Sequence, residues 1–306
     1  MGAAAQQSSA KRAVWTRASA RRLVALLLCA TAPPACQPAA TAAATRQAPG
    51  VAPVAGAARL QRARATLQTT RRTLPVRLSA RFDPMALGRR TTLEFGFSFH
   101  TLHGQVPEPL TGIELRYPSN LGLGLSGLGL ATCEAAAIEA AGPGGCSPNA
   151  VMGFGEVLTG VVLGTQIVNE IAPITIMRAP DRDGRLAVLF YAEGTTPVDA
   201  RIIFPGLLLP SRGPFGGVVN IGVPLVETLP GAPYVSVIEL HSTIGPKKVV
   251  YYEQVDGRTL AYRPLGILLP RRCPRGGFRF AARFVFSNET SASAETAVPC
   301  AASRVR

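Results

Sequence analysis

The chain has few histidines and no motif that marks a reactive centre. Three histidines are present, His100, His103 and His241, and the G-x-S-x-G nucleophile motif of many hydrolases is absent. The cysteines lack the short C-x-x-C spacing that is typical of structural zinc sites. We therefore predict no catalytic, cofactor-binding or metal-binding residues and no cofactor. A triad that the fold assembles around His100 or His241, with a serine and a carboxylate, stays an open alternative.

Acidic residues are missing from the first 75 positions, although eleven of the 32 basic residues lie there. The rest of the chain has 21 basic residues against all 18 acidic ones, so the formal net charge of +14 falls to +3 outside this region. A nucleic-acid-binding domain carries its positive charge on a folded face. The near-neutral remainder therefore argues against nucleic acid as a partner.

Long apolar runs are also missing, since none approaches the roughly 20 residues that span a bilayer as a helix. The apolar run Leu23–Ala30 is short, follows basic residues and precedes small ones, which is the order of a secretory signal. We predict a signal peptide over residues 1–42 and a protein that is secreted or attached to the cell envelope. Lipid modification of Cys36 is the alternative to simple cleavage. Membrane contact is expected only through the leader or such an anchor.

The composition and the hydrophobic pattern of the sequence change at Val76. Residues 43–75 are rich in Ala, Thr, Pro and Arg and lack bulky apolar side chains, so we interpret them as a disordered tether. From Val76 onward, short alternating segments are separated by turn signals such as Asp256-Gly257. Residues 76–306 are therefore predicted to be all-β, an immunoglobulin-like or related antiparallel β-sandwich of about a dozen strands with one short helix. The body is one elaborated sandwich or two packed ones, with a candidate seam near residues 206–217.

Four of the six cysteines lie beyond the leader and tether, and four cysteines allow three pairings. An exported protein meets an oxidising environment in which disulfides persist. We predict that neighbours pair, Cys133 with Cys146 and Cys273 with Cys300. The first bond would fasten an insertion with a short Ala-rich helix onto a sheet, and the second would close the C-terminal hairpin.

Three local patterns have a functional and a structural interpretation. Gly122–Gly127 matches G-x-G-x-x-G, but no helix or βαβ unit follows, so a Gly-rich loop is favoured over a dinucleotide site. Asp181 and Asp183 resemble the start of a calcium loop whose later ligands are missing, which favours a polar hairpin turn. Pro173 predicts that Ile167–Met177 is an edge strand or two short pieces.

Several segments of residues 76–300 resemble exported proteins of unknown function from high-GC actinobacteria, namely Leu110–Ile113, Leu128–Cys133, Gly142–Ala150, Pro214–Gly217, Pro224–Val226 and Cys273–Phe278 with Cys300. The resemblance implies export, an all-β body and paired cysteines, and it implies no activity. Together with the missing reactive motifs, it predicts a non-enzymatic envelope protein with a binding or structural role. The expected partner is an unknown protein or a cell-wall polymer. A secreted hydrolase or a carbohydrate-binding module is the alternative.

Overall fold

The computed structural model describes residues 74–102, 105–197, 199–211, 213–228 and 230–300. These residues belong to one compact unit that spans Thr69–Arg306. The predicted signal peptide, Cys36 and residues 43–73 of the predicted tether lie outside the described residues, so these assignments stay predictions.

Alternation of apolar and polar residues produces strands along most of the described chain. In the first strand, for example, Leu78 and Phe82 are buried while Arg77 and Arg81 are exposed. The structure confirms the all-β class, with antiparallel strands and one short helix. In chain order the elements are β1 Val76–Asp83, β2 Arg90–Phe99, β3 Leu110–Pro118, α1 Ala135–Ala141, β4 Val151–Leu163, β5 Gln166–Arg182, β6 Arg185–Gly194, β7 Ala200–Pro210, β8 Phe215–Gly222, β9 Ser236–Ile244, β10 Tyr251–Val255, β11 Arg258–Tyr262, β12 Ile267–Leu268, β13 Phe278–Phe286 and β14 Ser291–Val298.

One large antiparallel sheet contains all of these strands except the hairpin of β10 and β11, and β12 adds to it beside β2. The order across the sheet is β1-β2-β9-β4-β5-β6-β7-β8-β3-β13-β14. Cα atoms of the first and last strands in this order, β1 and β14, come within 8 Å of each other. This separation is shorter than the about 10 Å between stacked sheets, so the edges formed by β1 and β14 lie side by side. The sheet therefore curls into a near-barrel, and the two layers of the predicted sandwich are opposite walls of one sheet.

The interior on one side of the near-barrel is filled by phenylalanine rings from β1, β2 and β13. Phe284 of β13 is fully buried, and its ring centroid lies 4.7 Å from that of Phe97 and 5.0 Å from that of Phe99. Offset and edge-on ring pairs at such distances stabilise a core beyond the area that they bury. This aromatic cluster holds the two edges of the sheet together, and its members are Phe82, Phe95, Phe97, Phe99, Phe278, Phe280, Phe284 and Phe286.

The outer face of β5 and β6 is covered by the segment that contains α1. Ile138 of the helix is buried in a cluster with Met177 of β5 and Leu189 of β6. Gly142, with φ of 62°, ends the helix as the Gly-rich sequence predicts. The disulfide Cys133–Cys146 brackets this segment, and Cys273–Cys300 joins the start of β13 to the end of β14. The structure thus contains two disulfides, in the neighbouring pairs that the sequence predicts.

Pro173 lies within a single long strand and not at a break, because β5 runs uninterrupted over 17 residues. Pro173 is paired with Glu156 of β4, whereas pairing between β5 and β6 begins only at Ile174. The missing N–H is tolerated because β5 has one free side up to this point. The same strand is therefore an edge in its first half and an interior strand in its second.

Candidate ligand cavity

The side of the near-barrel that faces the aromatic cluster encloses a cavity of ≈ 260 Å³. Its walls come from β2 through β9. Along β4 the lining extends from Met152 to Thr159, and along β6 it extends from Leu186 to Ala192. At about 3.4 Å per residue these walls are about 20 Å long. The volume is close to the lower end of the range of small-molecule sites, about 300–1,000 Å³, and exceeds the about 150 Å³ that holds benzene in an engineered core.

Aliphatic side chains dominate the lining because one face of each strand alternates inward. Leu115 of β3 and Val219 of β8 are opposite one another in the ladder, both line the cavity, and both are only half-buried. Inward-facing residues of a filled core would be fully buried. Their remaining accessible surface shows that opposite walls do not meet on this side. Gly206 lies beneath the side chains of the neighbouring strand β6, since a Cβ there would lie 2.9 Å from Phe190 and from Val188.

The polar groups of the lining are unevenly distributed. The antiparallel order places the start of β2 and the ends of β3, β5 and β9 at one end of the near-barrel. We call this the loop end, because residues 121–130 lie across it. Tyr117, Ser126, Arg178 and Ser242 line the cavity towards the loop end, and Thr159 lies towards the opposite, far end. The cavity is therefore polar at one end and apolar along most of its length.

The serine and threonine hydroxyls of the lining are already bound by the main chain. Ser126 donates to the carbonyl of Leu123 at 2.5 Å. Ser242 donates to that of Phe95 at 3.1 Å, and Thr159 to that of Glu170 at 3.3 Å. Burial raises the pKa of the Tyr117 phenol, which stays neutral at physiological pH. These groups therefore add no charge to the cavity.

Arg178 is the one charged side chain among the described residues that line the cavity. Its Nη1 donates to the carbonyl of Gly129 at 3.2 Å, and its Nη2 to Oδ1 of Asp181 at 3.3 Å. Its Nε is buried, and no group in the described part of the chain accepts a hydrogen bond from it. Asp181, which sequence analysis weighed as a calcium ligand, lies at the end of β5 and pairs with Arg178. Asp183 and Gly184 form the hairpin turn that follows.

The Gly-rich segment, residues 121–130, covers the loop end of the cavity. Leu121, Leu123 and Leu128 point into the cavity lining. The segment is anchored where Gly122 donates to the carbonyl of Leu268 at 2.9 Å and where Gly129 donates to Oη of Tyr251 at 2.7 Å. The structure describes no helix within residues 121–134, so the segment lacks the helix N-terminus that would hold a dinucleotide phosphate.

Tyr251 connects this segment to the sheet. Its side chain is fully buried, accepts from Gly129 and donates to the carbonyl of Val151 at 2.6 Å. Burial raises the pKa of the phenol, so the hydroxyl proton needed for the second bond is retained well into the alkaline range. Sequence analysis missed this role, because residues 129, 151 and 251 are distant along the chain.

The histidines are not gathered into a reactive site. Nε2 of His241 lies 2.6 Å from Oε1 of Glu239, on an exposed part of β9. Ser242 is adjacent in sequence but faces the cavity on the other side of the strand. His100 is exposed, and His103 lies outside the described residues. On the same outer face, Gly96 lies between His241 and Ser79, since a Cβ on Gly96 would lie 2.9 Å from Nδ1 of His241 and 3.1 Å from Oγ of Ser79. Oγ of Ser79 donates to the carbonyl of Gly96 at 3.3 Å, and no hydrogen bond joins Ser79 to His241 among the described residues.

Tyr251 and the phenylalanines of β13 are buried, so these described residues do not form an exposed sugar-stacking platform. Tyr251, Phe278 and Phe284 are fully buried, and only Tyr252 of the tyrosine pair is exposed, at 47%. No group of three or more His, Cys, Asp or Glu side chains that could hold a metal ion occurs among the described residues. In the same part of the chain, no helix is long and apolar enough to cross a bilayer.

Comparisons with known proteins do not place the chain in a family. No protein-family model matches it, and no curated protein and no solved structure matches it. The resemblance to exported actinobacterial proteins therefore stays a prediction, and the cavity is the feature of the molecule from which a function is proposed.

Proposed function

We propose that this protein is a non-enzymatic binding protein of the cell envelope that holds an apolar ligand inside its curled sheet. The observation that carries the proposal is the cavity lined by aliphatic side chains that retain accessible surface. Each Å² of apolar surface removed from water contributes about 25 cal/mol. An apolar ligand that covers these walls would therefore bind favourably, whereas a polar one would lose its hydration without compensation.

The architecture also supports binding over a purely structural role. An internal cavity lowers stability because the lining atoms lose packing partners. A protein whose role was only structural would gain from larger side chains at these positions. Here the phenylalanines of the aromatic cluster are concentrated on the opposite side. Stability given up at a site commonly accompanies function at that site.

Export is a separate part of the proposal, and a measurement of ligand binding does not test it. Two disulfides are consistent with an extracellular protein, and the leader has the order of a secretory signal. The intact mass of the protein from its own host, before and after reduction, tests export. A start near Ala43 with two disulfides is expected, and a start at Cys36 with added acyl mass would identify a lipid anchor. A retained leader or four free thiols in the body would contradict export.

Ligand binding is tested by titrating the purified protein with a neutral apolar fluorophore, N-phenyl-1-naphthylamine. We expect saturable binding to one site. Val219→Phe fills part of the cavity from β8 and should weaken binding at least about tenfold, which corresponds to about 1.4 kcal/mol. Val218→Phe adds the same volume on the other face of the same strand and serves as the matched control.

Two results would overturn this proposal. One is the absence of saturable binding to the unmodified protein. The other is equal binding to the protein and to Val219→Phe, provided that circular dichroism shows both to be folded. If Val218→Phe weakens binding as much as Val219→Phe does, the fluorophore binds on the outer surface and the cavity is not its site.

A further inference from the structure

Among the described residues that line the cavity, charge occurs at one position. Arg178 stands at the loop end, and no acidic side chain occurs among the described lining residues. The carboxylate in contact with Arg178 is that of Asp181, at 3.3 Å, and it is 46% exposed. Asp181 is the second-last residue of β5. The loop end of the cavity is therefore bordered by an arginine whose partner is a partly exposed carboxylate.

The guanidinium of Arg178 is bound by the protein through partners that an anion could replace. Nη1 and Nη2 each have a protein acceptor, at 3.2 and 3.3 Å, whereas Nε is buried without an acceptor in the described part of the chain. The acceptor of Nη2 is the carboxylate of Asp181, and an exposed ion pair of this kind stabilises a fold by about 0–1 kcal/mol. Arginine binds carboxylates and phosphates strongly, so an anion that enters the loop end can take the place of Asp181.

The Gly-rich segment makes this arrangement of Arg178 possible. A Cβ on Gly129 would lie 2.7 Å from Cβ of Arg178 and 3.0 Å from its Cδ. Gly129 also has φ of +63°, a conformation that residues with a Cβ rarely adopt. Glycine at this position lets the segment lie directly on the aliphatic part of the arginine, which keeps the guanidinium at the end of the cavity.

The length of the cavity also fits a ligand with one acyl chain. A bilayer core of about 30 Å is made by two acyl chains end to end, so one acyl chain extends about 15 Å. The apolar walls of the cavity are about 20 Å long, from Arg178 at the loop end to residues such as Val226 and Val235 at the far end. The cavity is thus long enough for one acyl chain, with a small polar group at the end where the arginine lies.

We propose that the ligand is a single-chain amphiphile with an anionic head group, a carboxylate or a phosphate, that pairs with the guanidinium of Arg178 in exchange for Asp181 while its chain fills the apolar part of the cavity. This inference rests on the proposed function. It adds the class of the ligand, its orientation and the residue that selects it. A neutral lipid of the same length would satisfy the apolar walls but would not pair with the arginine.

The test compares three probes with the same 16-carbon chain: hexadecanoate, monohexadecyl phosphate and hexadecan-1-ol. Each displaces the neutral fluorophore from the full chain, from Arg178→Gln and from Arg182→Gln. Arg182 is an exposed arginine on the same strand that does not line the cavity, so Arg182→Gln is the matched control. We expect at least one anion to bind the unmodified protein at least about tenfold more tightly than the alcohol.

The variants separate charge recognition from a general effect on folding. Arg178→Gln should reduce the affinity for the anions to that for the alcohol and leave the alcohol unchanged, whereas Arg182→Gln should behave as the unmodified protein. A preference for one anion over the other identifies the head group. Equal affinity of the unmodified protein for all three probes would overturn the inference, as would an equal loss for all three in Arg178→Gln. If neither the fluorophore nor any probe binds, the proposed function itself fails.

Discussion

Gly129 is the residue at which the Gly-rich segment and Arg178 depend on each other. Gly129→Ala introduces a Cβ that would lie 2.7 Å from Cβ of Arg178 at a backbone with φ of +63°. We expect the free energy of unfolding to fall by about 1–2 kcal/mol, because a left-handed conformation disfavours alanine by that amount. Urea denaturation at neutral pH measures the change.

Gly124→Ala is the control for this prediction within the same segment. A Cβ on Gly124 would meet no atom within 4 Å, so the free energy of unfolding should change by less than about 0.5 kcal/mol. If both alanine variants were equally stable, the segment would not rest on Arg178 in solution.

Glu94 makes a further residue-scale prediction, because its carboxylate binds two cations on the outer face of β2. Oε2 accepts from Nη2 of Arg81 at 2.6 Å, and Oε1 accepts from Nζ of Lys247 at 3.0 Å. The hydrogen bond from Arg81 is the larger cause and that from Lys247 the next, and together they lower the pKa of Glu94 from its usual value. The carboxylate form is therefore favoured more in the folded state than in the unfolded state.

A lowered pKa stabilises the fold above the pKa of the unfolded state, about 4.3, and this stabilisation is lost as the pH falls through the folded-state pKa. Glu94→Gln should lower stability at pH 7 by less than about 1 kcal/mol and flatten the dependence on pH below about 4.3. Urea midpoints at several acidic pH values measure this. Glu114→Gln removes a carboxylate that pairs with Arg116 and serves as the control for the change in stability at pH 7. An unchanged profile in Glu94→Gln would show that the pairs with Arg81 and Lys247 are not formed in solution.

At the scale of elements, the two disulfides constrain different parts of the molecule. Cys273–Cys300 spans 27 residues and ties the last hairpin to the aromatic cluster, whereas Cys133–Cys146 spans 13 residues and holds α1 on the outer face of the sheet. Loss of the longer loop should reduce the free energy of unfolding by about 3–4 kcal/mol, and loss of the shorter by about 3 kcal/mol.

The two disulfides differ more clearly in where the structure loses stability than in how much the free energy of unfolding falls. Paired serine variants, Cys273→Ser with Cys300→Ser and Cys133→Ser with Cys146→Ser, are compared by urea denaturation and amide hydrogen exchange. The first pair should increase exchange in β13 and β14, and the second pair should increase it mainly in α1 around Ile138. Global exchange in the second variant pair would contradict the view that α1 is an outer addition to the sheet.

At the scale of the whole molecule, the near-barrel has a filled side and an open side. Phe284 on the filled side is fully buried, whereas Phe204 of β7 lines the cavity and is half-buried. Phe284→Leu should lower the free energy of unfolding by about 1–3 kcal/mol. Phe204→Leu should lower it by less, because fewer atoms surround the ring that is removed.

The same pair of variants responds differently to ligand. A ligand that binds only the folded state raises stability by mass action, so a bound apolar molecule should raise the melting temperature of the unmodified protein and of Phe284→Leu alike. The increase should be smaller for Phe204→Leu, whose cavity wall is altered. Thermal unfolding with and without ligand measures this. Equal losses for the two variants without ligand would contradict the division into two sides.

Local patterns were sufficient to predict the strands, the single helix and the disulfides. Alternation in β1 and β2, the turn residues Asp256-Gly257 and the Gly-rich end of α1 each act over a few residues. The interpretation of Pro173 was incomplete, because an edge is a property of neighbouring strands and β5 is an edge along only half of its length. The Gly-rich segment was correctly interpreted as a loop, but its position over a cavity depends on Leu268 and Tyr251, far along the chain.

One signal of the cavity was present in the sequence. Of the 12 phenylalanines, those of the aromatic cluster come from β1, β2 and β13, while the inward faces of β3, β8 and β9 carry smaller aliphatic residues. Such an uneven distribution predicts a core that is well filled on one side and less filled on the other. It becomes interpretable only when the order of strands in the sheet is known.

The sequence by itself determined the local conformation of the chain, the pairs of cysteines and the near-neutral charge of the body, because these depend on neighbouring residues or on composition. Only the tertiary structure decided that β1 and β14 meet, that the walls from β2 to β9 enclose a cavity and that Arg178 lies at its end. These features require contacts between residues more than a hundred positions apart, such as Gly129 with Tyr251. Alternation specifies which face of a strand is apolar, but the closure of the sheet specifies whether that face meets another side chain or a space for a ligand.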